Sequence, residues 1–212
     1  MLDLGLRRPF PPGFLLELGS GWGRPRSSTL HYGADFFTPT GTPVLAAAAG
    51  KVIKAQRTLT GNMAGIWVGL EHPLGFVTRY MHLSSVAPGL EVGQQVRAGQ
   101  EIGRAGSSGF DASNGPHLHF DIKVPARMLP AVEAAVGKPT SGWGPLQEPW
   151  GYAIPVEPWI PVDRYTKRTA DDAKAYGIPL YRKPGPWLST SMVRGGTTGG
   201  PGSRGGGSPK KA

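Results

Sequence analysis

Apolar residues in the first 125 positions occur in short runs separated by turn formers. The runs are Phe14-Leu-Leu-Glu-Leu18, Pro43-Val-Leu-Ala-Ala47, Gly50-Lys-Val-Ile-Lys54, Gly65-Ile-Trp-Val-Gly-Leu70, Phe76-Val-Thr-Arg-Tyr80, Gln95-Val-Arg97 and His117-Leu-His-Phe-Asp-Ile-Lys-Val124. Between them stand Thr60-Gly-Asn62, His72-Pro-Leu-Gly75 and Ala87-Pro-Gly89. Many short strands joined by glycine- and proline-bearing turns predict an all-β sandwich or barrel. The last run alternates polar and apolar side chains after the Gly115-Pro116 breaker, which predicts a strand.

The character changes after Val124. Leu129–Val136 ahead of Gly137, with Pro130 early, predicts a short helix. A proline- and tryptophan-rich stretch holding Trp143, Trp150 and Trp159 follows. Those rings would suit stacking on sugars, but packing against the β structure is the expected use. A second short helix is expected from Thr169, with Asp172 answering it as a capping partner, to Gly177. From Gly195 the chain is Gly, Ser, Thr, Pro and Lys with almost no apolar residue, the composition of a linker or tail. The expected divisions are a lead-in over 1–14, a β domain over 15–125, a C-terminal extension with short helices over 126–194, and a basic glycine-rich tail over 195–212.

A chain of 212 residues is long enough for one sizeable core. With no cysteine it has no thiolate metal site, iron–sulfur cluster or cysteine nucleophile, so any metal must be held by His, Asp or Glu. The net charge of +9 is that of a generically basic surface or of one that meets a polyanionic partner: nucleic acid, a membrane surface or an anionic cell-wall polymer. Neither a basic helical stripe nor an aromatic RNA-binding signature accompanies it, so nucleic acid is not expected. No apolar run approaches the roughly 20 residues of a membrane span, and the arginines of Met1–Phe10 follow its apolar residues, unlike a classical signal peptide.

Two of the five histidines flank one leucine, in His117-Leu118-His119. Residues two apart on a strand share a face, which suits one metal ligand beside one proton-transfer group. Upstream, His31-Tyr-Gly-Ala-Asp35 sets an imidazole and a carboxylate among turn formers, and Asp35 alone would be an ordinary turn residue. His31, Asp35 and one histidine of the 117/119 pair make the three protein ligands typical of a catalytic zinc with an open position. His82, in Arg79-Tyr-Met-His-Leu83, is a fourth imidazole that need not bind metal. Gly33 is expected to supply a positive φ, and His72, in Glu71-His-Pro73, to close a hairpin.

These segments, in order and spacing, resemble the lysostaphin-type zinc endopeptidases that cut peptidoglycan cross-bridges and stem peptides. The resemblance rests on His31-x-Gly-x-Asp35, Pro39–Gly50, Tyr80-x-His-Leu83, Val92–Gly103 and Gly115–Phe120, and runs from about Glu17 through Val124. It implies a compact antiparallel β-sandwich, the duplicated hybrid motif. It also implies one zinc held by His31, Asp35 and His119, with His117 as general base and His82 steadying the oxyanion. Asp121 stands where the family often has glutamate, a place from which a carboxylate orients a ligating histidine. The glycine-rich Val92–Gly103 segment is also similar to biotinyl and lipoyl barrels.

The implied activity is zinc-dependent hydrolysis of peptidoglycan amides at the bacterial cell wall, reached as a phage endolysin, a virion component or a non-classically exported protein. The 126–194 extension would meet a phage or envelope partner. The few residues ahead of His31 suggest an enzyme made active, without a long inhibitory propeptide. A non-catalytic wall-binding or amidase-activating domain is the alternative, though such domains usually lose ligands that this chain keeps. A cupin-like oxygenase is disfavoured because the next glutamate after His119 is Glu133, and a carrier of an attached cofactor because no lysine sits at a tight hairpin tip.

Overall fold

The computed structural model describes residues 2–24, 26, 30–109, 115–136, 151–156, 158–160, 162–167, 170, 171 and 174. Among them are strands β1 (Glu17–Ser20), β2 (Ala34–Phe37), β3 (Pro43–Leu45), β4 (Gly50–Gln56), β5 (Ile66–Glu71), β6 (Val77–Val86), β7 (Gln95–Val96), β8 (Glu101–Ala105) and β9 (His117–Val124). Helix α1 (Leu129–Val136), β10 (Tyr152–Ile154) and β11 (Arg164–Tyr165) follow. One sheet takes all the strands in the order β11-β1-β2-β9-β6-β5-β4-β7, with β8 branching from β6 to β3 and β10 pairing β9. Its pairings are antiparallel except β1 with β11, and it is an open sheet rather than a closed barrel.

The alternation read in His117–Val124 holds to the residue. Leu118, Phe120, Ile122 and Val124 are wholly buried in the core, while His117, His119, Asp121 and Lys123 line the opposite face. On one edge β9 meets β6, Met81 facing His119 and Arg79 facing Asp121; on the other it meets β2, Asp35 facing His119 and Phe37 facing His117. Residues directly paired across strands lie on the same face of a sheet. The polar face of β9 is thereby extended by one strand on each side.

Two of the site's strands depart from the sequence reading. The segment around Asp35 forms β2 instead of a turn, a short strand in which Ala34 and Phe36 enter the core. Strand β6 runs on past Tyr80, the end predicted for it, through a bulge: Val68 pairs Tyr80 but Ile66 pairs Leu83, so β6 carries one extra residue. His82 occupies that bulge with φ of 61°. A bulge re-aims a side chain, and the left-handed backbone there costs about 1–3 kcal/mol that surrounding contacts must offset.

The segments flanking the central strands share their core. Leu4, Leu6 and Phe10 of the lead-in and Ile154, Val156, Trp159 and Ile160 of the extension are buried with Leu16 and Leu18. Trp159 thus packs inward as expected, whereas Trp143 and Trp150 lie outside the described residues. Arg8 donates both terminal nitrogens to Asp163 (2.7 and 2.8 Å), and Asp163 also accepts from the Leu16 amide, so one carboxylate ties the lead-in, the residue ahead of β1 and the extension. The helix expected from Thr169 falls largely outside the described residues, as does the tail from Gly195.

Candidate active site

Asp35 and His119 face each other across β2 and β9, and His31 reaches them from the residues leading into β2. Asp35 Oδ1 lies 3.1 Å from His31 Nε2 and 2.9 Å from His119 Nδ1, and those two nitrogens are 3.1 Å apart. The three side chains form a group able to hold a metal ion. Donors bound to a tetrahedral zinc at about 2.0–2.1 Å stand about 3.3 Å from one another, close to this triangle.

The outer contacts of the rings fix which atoms point inward. His31 Nδ1 donates to the Gly21 carbonyl (2.8 Å), so the neutral ring turns its Nε2 lone pair to the triangle. His119 Nε2 faces the Asp121 carboxylate at 3.5 Å, which leaves Nδ1 with the inward lone pair. Two imidazole lone pairs and a carboxylate oxygen therefore converge within hydrogen-bond distance with no proton among them when the rings are neutral. Such an arrangement is repulsive unless a cation occupies it, and imidazole with carboxylate is a zinc donor set.

Each donor is braced from behind. Arg79 grips Asp121 through Nε (2.9 and 3.1 Å) and Nη2 (2.6 Å) on the buried polar face, and Arg26 donates to Asp35 Oδ2 at 3.0 Å. Burial raises the Asp121 carboxyl pKa, but the Arg79 charge and the His119 contact outweigh it and hold the group far below the usual range. Burial also raises Asp35, and the nearby His31 and His119 rings more than reverse this. Burial lowers His119, yet its contacts with Asp121 and Asp35 push it up to about 9 in the metal-free chain.

The other two imidazoles stand beside this group. His117 and His82 have ring centroids 4.6 Å apart, and His82 is 5.9 Å from His119 by the same measure. His117 Nδ1 donates to the Gly115 carbonyl (2.9 Å), leaving Nε2 buried without a hydrogen-bond partner, 4.0 Å from Asp35 Oδ1. His82 Nδ1 donates to the Ser108 carbonyl (2.8 Å), so its Nε2 also carries a lone pair in the neutral ring. Burial, reinforced by the neighbouring imidazoles, holds His82 down to about 4.

All five residues singled out in the sequence are thus brought together. His72 lies apart and buried, closing the β5–β6 hairpin: its Nδ1 donates to the Ala49 carbonyl and its Nε2 meets the Thr78 hydroxyl at 2.7 Å. Gly33 corrects an expectation, because it is absent from the positive-φ glycines. A Cβ there would stand 2.6 Å from His119 Cε1 and Nε2, so glycine is needed for room under the ring. Arg26 and Arg79 carried no sequence signal of their own, since their partners meet them only through tertiary contact and strand register.

Fold and site together define a β protein with a His-Asp-His group able to hold a metal ion, beside two further imidazoles. Residues 29–130 match Peptidase family M23, and this part of the chain is an M23 peptidase domain. It is 39% identical over 104 residues to the peptidoglycan DD-endopeptidase ShyB of Vibrio cholerae, covering 49% of this chain and 23% of that protein. It is 46% identical over 91 residues to the glycyl-glycine endopeptidase ALE-1 of Staphylococcus capitis, covering 42% and 24%. The crystallized catalytic domain of lysostaphin from Staphylococcus simulans is 39% identical, with 51% of this chain and 80% of that one covered at a TM-score of 0.45. The chain spans about a quarter of the length of the curated relatives it matches. No helix among the described residues is long and apolar enough to cross a membrane.

Proposed function

We propose that this chain is a zinc-dependent endopeptidase that hydrolyses amide bonds in the stem peptides or cross-bridges of peptidoglycan, acting at the bacterial cell wall. The observation that carries the reading is the convergence of His31 Nε2, Asp35 Oδ1 and His119 Nδ1, with the unpartnered Nε2 of His117 buried beside them. Relatives named as peptidoglycan DD-endopeptidase and glycyl-glycine endopeptidase support the substrate class.

His31, Asp35 and His119 would hold the ion. Zinc in such a site acidifies water and polarises the scissile carbonyl. His117, its Nδ1–H anchored on Gly115, accepts a proton at Nε2 from the attacking water and returns it to the leaving amine. His82, anchored on Ser108 through Nδ1, would steady the oxyanion by donating from Nε2; burial keeps the ring neutral beforehand, and the negative charge of the oxyanion is what favours its protonation.

The test is digestion of purified peptidoglycans of known cross-link type by zinc-loaded and chelator-treated protein, with the released fragments identified by mass. New amine termini that appear only with the loaded protein are expected. Equal cleavage after chelation, or no new amine termini from any peptidoglycan, overturns the reading.

A further inference from the structure

Phe37 is the one aromatic ring among the exposed large hydrophobic residues described, at 43% exposure. It is paired directly with His117 across β2 and β9, so both project from the sheet face that carries Asp35 and His119. Core packing does not account for it, since Ala34 and Phe36 bury the other face of the same strand.

The ring has a defined seat. A Cβ at Gly19 would lie 2.6, 2.7 and 2.8 Å from its Cζ, Cε1 and Cε2, which places the ring edge directly over the Gly19 backbone. Gly19 sits where the β1–β2 register slips, between Leu18 paired with Phe36 and Ser20 paired with Asp35. The ring therefore leans away from His117 over a bulge in β1 and keeps an open apolar surface. Beyond it on the same face, Glu17 pairs with Phe37 and is held by Arg164.

We propose that Phe37 is the ledge against which the substrate residue next to the scissile amide lies, and that it selects a small uncharged residue there. This rests on the endopeptidase reading above. A proton acceptor works within about 3 Å of the group it serves, so the scissile amide comes to His117 Nε2. Directly paired Cβ atoms are about 5 Å apart, and an extended peptide advances about 3.3 Å per residue. The residue adjoining the amide on that side thus passes over Phe37. Glycine or alanine covers the ring with its Cα–H or methyl group, whereas a charged residue would lose water there and gain no partner from the ring.

The experiment uses the full chain and a cross-linked peptide dimer prepared from purified peptidoglycan. Phe37→Ala removes the ledge, Phe37→Leu keeps an apolar surface, and Gly19→Ala displaces the ring without touching any metal donor. Phe37→Ala and Gly19→Ala are expected to raise KM roughly tenfold with kcat and zinc content retained, and Phe37→Leu to recover most of the loss. Dimer binding by calorimetry in a His117→Ala background is expected to weaken by the same factor on adding Phe37→Ala. Unchanged KM and unchanged binding in Phe37→Ala overturn the ledge even while the dimer is cleaved. A dimer that binds through Phe37 but is never cleaved overturns the endopeptidase reading and leaves the ledge standing.

Discussion

Gly33 lies beneath the imidazole of His119, with no space between them for a methyl group: a Cβ would come within 2.6 Å of Cε1 and Nε2 and 2.8 Å of the Phe120 carbonyl. One clash is with backbone and the other with a ring held by Asp121 at Nε2 and by Asp35 at Nδ1, so neither neighbour yields easily. Gly33→Ala is expected to push His119 out of the donor triangle and to cost about 1–3 kcal/mol of stability. Zinc affinity, measured by competition with a chromogenic chelator, falls at least tenfold. A variant that binds zinc like the wild type would show that the ring has another place to go.

Asp121 has two neighbours to satisfy at once, the Arg79 guanidinium and His119 Nε2. Replacing it with asparagine keeps the shape but removes the carboxylate charge that the buried Arg79 guanidinium grips. Asp121→Asn is expected to lower zinc affinity by roughly 10–100-fold and stability by about 3 kcal/mol, read by chelator competition and denaturant unfolding. Weakened stability with unaltered zinc affinity would separate the two roles and assign Asp121 to packing alone.

How much of this was legible in the chain depends on the range of the interaction concerned. His117–Val124 was readable because strand alternation is local, and the five site residues because each stands in its own short motif. Strand β2 was not, since Asp35 disfavours a strand and only pairing with β1 and β9 holds it there. The bulge at His82 was equally hidden, because an extra residue in β6 is defined by its count against β5. Likewise β10 and β11 are too short to show a period, and they join the sheet through partners more than a hundred residues away in the case of β11. Gly33 stands out in its motif, but the positive φ expected of it is absent, and what the position requires is space.

His72 couples stability to pH away from the site. Its Nδ1–H donates to the Ala49 carbonyl, so the neutral ring accepts at Nε2 from the Thr78 hydroxyl, which lies 3.0 Å from the Tyr80 hydroxyl. Burial lowers its pKa from 6.5, and the Ala49 carbonyl and Glu71 oppose this only in part. A folded pKa below the unfolded one means that the unfolded chain takes the proton first. The contribution is complete above about pH 6.5 and is lost as pH falls toward the folded value, at up to about 1.4 kcal/mol per pH unit. Chemical unfolding of wild type and His72→Gln between pH 7.5 and 5 is expected to show a shallower acid loss in the variant. Parallel curves would assign the acid sensitivity elsewhere.

His117 and His119 sit two residues apart on one face of β9, yet their outer partners differ, and so should the consequences of losing each. His119 is fixed through Nε2 by Asp121 and offers Nδ1 to the triangle, whereas His117 is fixed through Nδ1 by the Gly115 carbonyl and offers Nε2 beside it. His119→Ala removes one of three donors, so both bound zinc and peptidoglycan cleavage are expected to be lost. His117→Ala leaves all three donors in place, and the chain should keep about one zinc while its turnover drops roughly 10²–10⁴-fold, the usual worth of a positioned proton acceptor. Metal analysis of each purified variant beside its digestion rate checks both. Loss of zinc from His117→Ala would move that residue into the ligand set, and normal turnover would take the proton from it and leave His82, with its own Nε2 lone pair, as the acceptor.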